Sequence, residues 1–293
     1  MPADTYAYTV PGPLRCGRFA LTLDRPRVMG VLNVTPDSFS DGGRFVDRDA
    51  ALAHARRMLA DGADIIDVGA ESTRPGAAPA AEGDELARVV PILEALREEC
   101  AARGAVLSID TRKPAVMRAA IAAGAGMVND IGALRAPGAL EAVAAAAEPV
   151  GVCLMHMQGE PATMQLHVVY TDVVSEVKSF LAERAAACER AGIAGNRIAI
   201  DPGFGFGKTV AHNLALLRWL DELVALGYPV AVGLSRKSTI GALTGRDVGE
   251  RVAGSVAAAL AAVERGAAIV RVHDVRETVD ALSVWRAVEG ASR

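Results

Sequence analysis

Asp110 and Asp201 each sit at or near the end of a short apolar run, residues 106–110 and 197–203, and Asn129 lies in a third run at 127–131. Two carboxylates and an amide in one pocket would suit a flat heterocycle rich in hydrogen-bond donors. A carboxylate accepts two bonds from an amidine-like edge, and Asn offers both a donor and an acceptor. Either aspartate taken alone is also explained as a helix N-cap. Arg271 and His273 stand two residues apart at the end of a further apolar run. Strand alternation would put both on one face, where they could hold an anion such as phosphate. An interior ion pair with Asp274 or another acid is the competing account of that pair. Ser235 and Lys237 close another run, and Arg74 follows a fourth, adding polar and cationic groups.

These residues need a scaffold that gathers run ends. Eight apolar runs cover 27–34, 64–70, 106–110, 127–131, 149–156, 197–203, 229–235 and 268–274. Helical periodicity predicts helices over about 49–61, 84–103, 114–123, 137–147, 171–191, 212–226, 249–265 and 275–288. Alternating β and α segments of this number predict an α/β fold, a (β/α)8 TIM barrel, with its chemistry on the face formed by the strand ends. The third and fourth units are short for a crossover. Residues 14–23 alternate around Gly17 and predict a β-hairpin closing the barrel bottom. Residues 36–45 and 72–83 are rich in Gly, Pro, Ser and Thr and read as long βα loops over the active face. In the fifth helix Val173, Val177, Phe180, Leu181 and Cys188 share one side and are expected to face the core. The whole chain, 1–293, is read as one domain, with 1–13 as an N-terminal extension.

Composition narrows the classes. The chain has 293 residues, 51% hydrophobic and only 4% aromatic, as strands buried on both faces require. The net charge is −4, from 31 basic and 35 acidic residues, with no basic stripe, so nucleic acid is a poor partner. Cys16, Cys100, Cys153 and Cys188 show no metal-like spacing and are expected to be buried, reduced thiols. Residues 1–13 lack the segments of a signal peptide, and no apolar run is long enough to span a bilayer. A cytoplasmic enzyme without membrane contact is expected.

Several familiar motifs fail. Gly207-Lys208-Thr209 ends like a phosphate-binding loop, but Pro202 stands where its first glycine belongs. Gly233-Leu234-Ser235-Arg236-Lys237 starts like a nucleophile elbow and ends in Lys instead of Gly. His54 and His212 fall in helical stretches and suit surface or packing roles. His156 ends the fifth run, where a site role is open to it, but the pattern assigns it none.

The stretch Gly30-Val31-Leu32-Asn33-Val34-Thr35-Pro36-Asp37-Ser38-Phe39-Ser40-Asp41-Gly42-Gly43 closely resembles the first loop of the dihydropteroate synthases. So do Glu71-Ser72-Thr73-Arg74-Pro75-Gly76, Ser108-Ile109-Asp110-Thr111, Asn129-Asp130-Ile131 and Met155-His156-Met157-Gln158-Gly159. Asp201-Pro202-Gly203-Phe204-Gly205-Phe206-Gly207-Lys208, Ser235-Arg236-Lys237-Ser238 and Arg271-Val272-His273-Asp274 complete the set, in order.

The resemblance implies an enzyme of folate synthesis. It would join p-aminobenzoate to (7,8-dihydropterin-6-yl)methyl diphosphate and release diphosphate and 7,8-dihydropteroate. By resemblance Asp110, Asn129, Ile131, Met155, Asp201, Phe206, Gly233 and Lys237 would hold the pterin. Phe39, Thr73, Pro75 and Ser235 would hold p-aminobenzoate, the pocket sulfonamides would target. Asn33, Arg74, Arg271 and His273 would bind diphosphate, with Asn33 as the protein ligand of Mg²⁺. Asn33, Asp41, Arg74, Lys237, Arg271 and His273 would carry the catalysis, and a homodimer is implied. Two other readings share the pterin pocket: a methyltransferase acting on methyltetrahydrofolate, and a non-catalytic pterin-binding homologue. The first has no use for a diphosphate site, and the second would be expected to show decayed loops.

Overall fold

A computed structural model describes residues 12–34, 43–71 and 80–291, with the side chains of 43–47 left aside. Eight parallel strands close into a barrel. They are β3 (Arg27–Asn33), β4 (Ile65–Gly69), β5 (Val106–Asp110), β6 (Met127–Asp130), β7 (Gly151–Met155), β8 (Ile198–Asp201), β9 (Val230–Val232) and β10 (Ala267–Val272), and β10 returns to pair with β3. The eight expected runs are therefore the eight barrel strands.

The expected hairpin is also present, as β1 (Leu14–Cys16) paired with β2 (Phe19–Leu21). Leu14, Cys16, Leu21 and Leu23 pack against Met29, Ile65, Val106, Met127, Cys153, Ala199, Ala231 and Ile269. Those residues are the lowest inward-facing layer of the barrel, so the hairpin is its floor plug. A Cβ on Gly151 would lie 2.9 Å from the Arg15 carbonyl oxygen, so glycine is needed for this close approach.

Alternation then sets the next layers. Two residues above that floor, β4 offers Asp67, β5 Ser108, β6 Asn129, β7 Met155, β8 Asp201, β9 Gly233 and β10 Arg271. The opposite parity packs outward on the helices: Val28, Ile66, Val68, Leu107, Ile109, Val128, Val152 and Leu154 are all in the shell between sheet and helices. One strand therefore serves an apolar shell and a polar interior at once.

The helices differ from the expected spans in four places. α1 (Gly43–Ala60) begins six residues earlier than expected, its helical backbone continuing upstream of Asp49. α2 (Glu82–Ala102) starts inside the stretch read as a loop, with Glu82, Asp84 and Glu85 in its first turn, where acids suit the helix dipole. α3 (Pro114–Ala122) agrees, while α4 (Ala139–Ala144) is only six residues long although its alanines favour helix throughout. The expected sixth helix is two, α6 (Val210–Arg218) and α7 (Asp221–Val224), broken at Trp219.

α5 (Val173–Arg190) buries Val173, Val177, Leu181 and Cys188 as expected. A short helix, α8 (Ser238–Thr244), precedes α9 (Val252–Val263) and was not expected. α10 (Val275–Glu289) closes the ring. All four cysteines are buried free thiols. No helix among the described residues is long and apolar enough to cross a membrane.

The barrel has one thin joint. β3 and β4 share five register pairs, whereas β8 and β9 are in register only at Ile200 and Val230. Asp201 lies on one side of that joint and Lys237 beyond the other.

Candidate active site

The mouth of the barrel is built on a buried charge cluster. Asp67, fully buried, accepts from Ser108 Oγ at 2.6 Å, from Asn129 Nδ2 at 3.0 Å and from Arg271 Nε at 2.7 Å. Arg271 also donates from a terminal nitrogen to Asp110 Oδ2 at 2.8 Å. Burial would depress the Arg271 guanidinium, but Asp67 and Asp110 outweigh it and hold its pKa above the ordinary value. Burial pushes the Asp110 carboxyl up, reinforced by Asp67, Asp130 and Glu85 and opposed by Arg271. Of the two accounts of Arg271, the structure shows the interior ion pair, with Asp67 and Asp110 as partners. Asp274 pairs with Arg236 instead.

Asn129 spends its amide donor on Asp67, which leaves the carbonyl oxygen for a ligand. Asp110 does not cap α3, whose N-cap is Lys113. Asp201 accepts the Gly203 N–H at 2.7 Å, a turn two residues on, and its backbone oxygen accepts from His156 N. Burial raises its carboxyl, against the pull of Gly203, Lys237, Lys208 and Arg271.

Lys237 reaches across from the start of α8. Its ammonium donates to the Phe204 carbonyl and sits 4.2 Å from the centre of the Phe206 ring. Burial brings it down to about 8, partly offset by Asp201. Phe206 packs with Ile131, Met155, Met157 and Met164, an apolar wall beside the polar layer. Met157 and Met164 belong to that wall and were not singled out from the sequence. Gly233 stands beside Arg271, where a Cβ would lie 3.9 Å from the arginine Cβ.

Ser235 is buried and engaged with His273. Its Oγ accepts the His273 backbone N–H at 3.2 Å and lies 3.1 Å from Nδ1. The hydroxyl proton is then free to donate to Nδ1, which leaves Nε2–H as the donor of a neutral ring. Burial and Arg271 lower His273 to about 4. Between Ser235 and Lys237, Arg236 adopts φ of 58°, a left-handed conformation costly for a side-chain-bearing residue. It is held by two bonds to Asp274, by its N–H to Ser255 Oγ at 2.9 Å and by Arg251 on its carbonyl at 3.0 Å.

Asn33 ends β3 at the mouth with its side chain exposed. The expected roles of Phe39, Asp41, Thr73, Arg74 and Pro75 fall outside the described residues. Beside the mouth, Lys113 bonds Glu71, Glu85 at 2.5 Å and the Ala80 carbonyl at 2.8 Å, and Thr111 donates to Glu85 at 2.6 Å. This network and Asp67 were missed in the sequence. Asp67 lies mid-run, and only matching strand parities would have placed it beside Asp110. Among the described residues no group of three acidic, His or Cys side chains could hold a metal ion. His54 lies partly buried on α1, and His212 closes the capping box of α6 with Thr209.

The sequence matches the family described as pterin binding enzyme over residues 29–273. It is 53% identical over 280 residues to a dihydropteroate synthase of Neisseria meningitidis serogroup B, covering 94% of this chain and 96% of that one. A Xanthomonas albilineans dihydropteroate synthase solved with 4-aminobenzoic acid superposes with a TM-score of 0.90 at 56% identity, over 97% of this chain and 100% of that one. A Yersinia pestis dihydropteroate synthase in a sulfonamide drug complex gives 0.89 at 50% identity, over 95% and 100%. The chain belongs to the pterin binding enzyme family, and within it to the dihydropteroate synthases.

Proposed function

We infer that this chain joins p-aminobenzoate to (7,8-dihydropterin-6-yl)methyl diphosphate, giving 7,8-dihydropteroate and diphosphate. The observation that carries the reading is the cluster of Asp110, Asn129, Asp201 and Lys237 in the barrel mouth above an apolar floor, flanked by Ile131, Met155 and Phe206. Asp201 and Asp110 accept from the donor-rich edge of the pterin, and the Asn129 carbonyl accepts a further N–H. Lys237 donates to a ring acceptor. Each interaction takes place where water is scarce, so mismatched heterocycles are rejected strongly.

The leaving diphosphate meets His273 Nε2–H, Arg271 and Asn33. Fixed donors aimed at the oxygens that gain charge lower the barrier without reorganising. The amine of p-aminobenzoate attacks the methylene carbon, the C–O bond to diphosphate breaks, and the amine proton leaves to water. Aryl amines are weak bases, so positioning is the main requirement and no protein nucleophile is needed.

Mg²⁺ fits this donor set. The exposed Asn33 amide oxygen would be one hard ligand, and phosphate and water would supply the rest. When bound, the ion neutralises charge on the departing oxygens. Ser235 faces His273 from the rim, and with Phe39, Thr73 and Pro75 it is proposed to line the p-aminobenzoate side, where sulfonamides would compete. Arg74 is proposed to reach the diphosphate, and Asp41 to help organise the site.

A cytoplasmic homodimer completes the reading. Val284 and Val288 on α10 are 67% and 66% exposed, and Leu243 and Val248 near α8 are 58% and 55% exposed. α9 packs between those two helices, so these side chains lie on neighbouring elements. Sedimentation that finds only monomer at micromolar concentration would count against the dimer. The activity itself is tested by incubating the protein with the pterin diphosphate, p-aminobenzoate and Mg²⁺. Absence of 7,8-dihydropteroate would overturn the assignment.

A further inference from the structure

The residue left over from the failed phosphate-loop motif is Lys208, and the structure buries it. Its Nζ donates to the carbonyls of Gly203 and Phe206, both at 3.0 Å. It also lies 2.9 Å from His156 Nδ1 and 3.3 Å from the His156 carbonyl. Burial lowers the His156 imidazole to about 3, so the ring is neutral and its Nδ1 can accept an N–H of Lys208, which burial itself brings down to about 7. The Phe180 ring meets the His156 ring edge-on at 4.9 Å and fixes its orientation.

Those contacts complete the hydrogen bonding of one loop. Every carbonyl from Gly203 to Gly207 is taken. Phe204 is bonded by Lys237, Gly205 by Gln165 at 2.7 Å, Gly207 by Tyr170 at 3.0 Å, and Gly203 and Phe206 by Lys208. The same loop carries three elements of the pterin pocket. Gly203 N–H orients Asp201, the Phe204 carbonyl anchors Lys237, and the Phe206 ring lies against the Lys237 ammonium. Lys208 bonds only backbone carbonyls and the His156 ring, and no side chain expected to hold the pterin.

We propose that Lys208 is a positioning residue: with His156 it pegs the 203–207 loop to the end of β7, so that Asp201 and Lys237 stand ready for the pterin. This rests on the pterin pocket described above. Removing the amine leaves the Phe206 carbonyl unpaired and the Gly203 carbonyl with only the Phe206 N–H at 3.1 Å, which lets the loop relax, and the effect must reach the ligand through Lys237 and Asp201.

The test is a double-mutant cycle on binding of the pterin diphosphate with Mg²⁺, read by calorimetry. Lys208→Met should keep the circular dichroism spectrum and weaken binding about tenfold, one carbonyl-sized loss in affinity terms. Lys237→Met should weaken it as much or more. In the Lys237→Met background, adding Lys208→Met should cost less than about threefold further, because the two act through one element. Losses that multiply, or unchanged affinity in folded Lys208→Met, would overturn the proposal while leaving the pocket standing. Failure of the wild type to bind would overturn the pocket reading and this proposal with it. If Lys208→Met does not fold, His156→Leu decides. It removes one acceptor and keeps three carbonyls, so about threefold weaker binding is expected and unchanged affinity overturns the proposal.

Discussion

Arg271 and Asp67 are 204 positions apart in sequence and 2.7 Å apart in space, joined through the barrel interior. The pair fixes the guanidinium in the mouth and, through Asn129, fixes the amide that faces the ligand. A carboxylate that touches no expected substrate position therefore sets two groups that do.

Asp67→Asn should leave the chain folded and lower kcat/KM at least about tenfold. The amide must turn a donor toward Arg271 Nε, Asn129 Nδ2 or Ser108 Oγ, and a mispaired buried group costs about 1–3 kcal/mol. Steady-state kinetics that match the wild type would remove Asp67 from its central place.

Asp201→Asn should also fold, with pterin binding the property lost. The new amide presents a donor where a carboxylate accepted, again about 1–3 kcal/mol and more when charge is involved. Calorimetric titration is the check, and unchanged affinity would take Asp201 out of the pocket.

Lys237 titrates near the working range, brought down to about 8 by burial. Affinity for the anionic substrate should fall as pH rises through that value, because only the ammonium form carries the charge that attracts it. A profile of kcat/KM for the pterin diphosphate should bend downward above about pH 8. A profile flat to pH 9.5 (about 1.5 units beyond the bend) would contradict either the titration of Lys237 near 8 or a part for its charge in binding.

Burial lowers His156 from 6.5 to about 3, with Lys208 adding repulsion. Unfolding lets the ring take a proton that the fold denies it, so this residue removes stability as pH falls from 6.5 toward about 3. The slope is at most about 1.4 kcal/mol per pH unit. Asp110, Asp130 and Asp201 have raised values and act in the opposite sense over the acid range. The histidine is therefore read by difference. Between pH 6.5 and 4.5 (about two units), wild type should lose more unfolding free energy than His156→Leu in urea titrations. Parallel curves would refute it.

Gly203→Ala should be severely destabilising. The residue has φ of 69°, and a Cβ there would fall 2.0 Å from the His156 carbonyl oxygen. Strain and overlap together predict about 3 kcal/mol or more in urea denaturation.

What could be read from the chain followed periodicity. The eight strands and the pocket residues Asp110, Asn129, Asp201 and Arg271 carry a local signal, a polar residue at or near the close of an apolar run, and the hairpin carries another, alternation around Gly17. Asp67 does not, since it lies inside a run and its partners are on other strands. Lys208 was visible at the end of a failed phosphate-loop motif and of a family-like stretch, but with no role of its own, because its four acceptors are assembled by tertiary packing. α8 is seven residues long, too short for a helical period to stand out, and it follows the left-handed turn at Arg236. Helix ends were least legible where alanine favours helix beyond the point at which the chain must turn, as in α4.

The thin joint between β8 and β9 gives the substrate a mechanical part. Side chains already lace that gap, with Lys237 on the Phe204 carbonyl and Asn213 Nδ2 on Thr239 Oγ1 at 3.0 Å. A pterin held by Asp201 on one side and Lys237 on the other would act as a clasp across the weakest line of an otherwise continuous hoop. Ligand occupancy should then slow amide exchange in β9 more than in β4, which is already secured along its full length on both sides. Loading the site and tightening the barrel would be one event, so inhibitors that bridge the joint should raise the melting temperature more than equally tight ligands confined to one side.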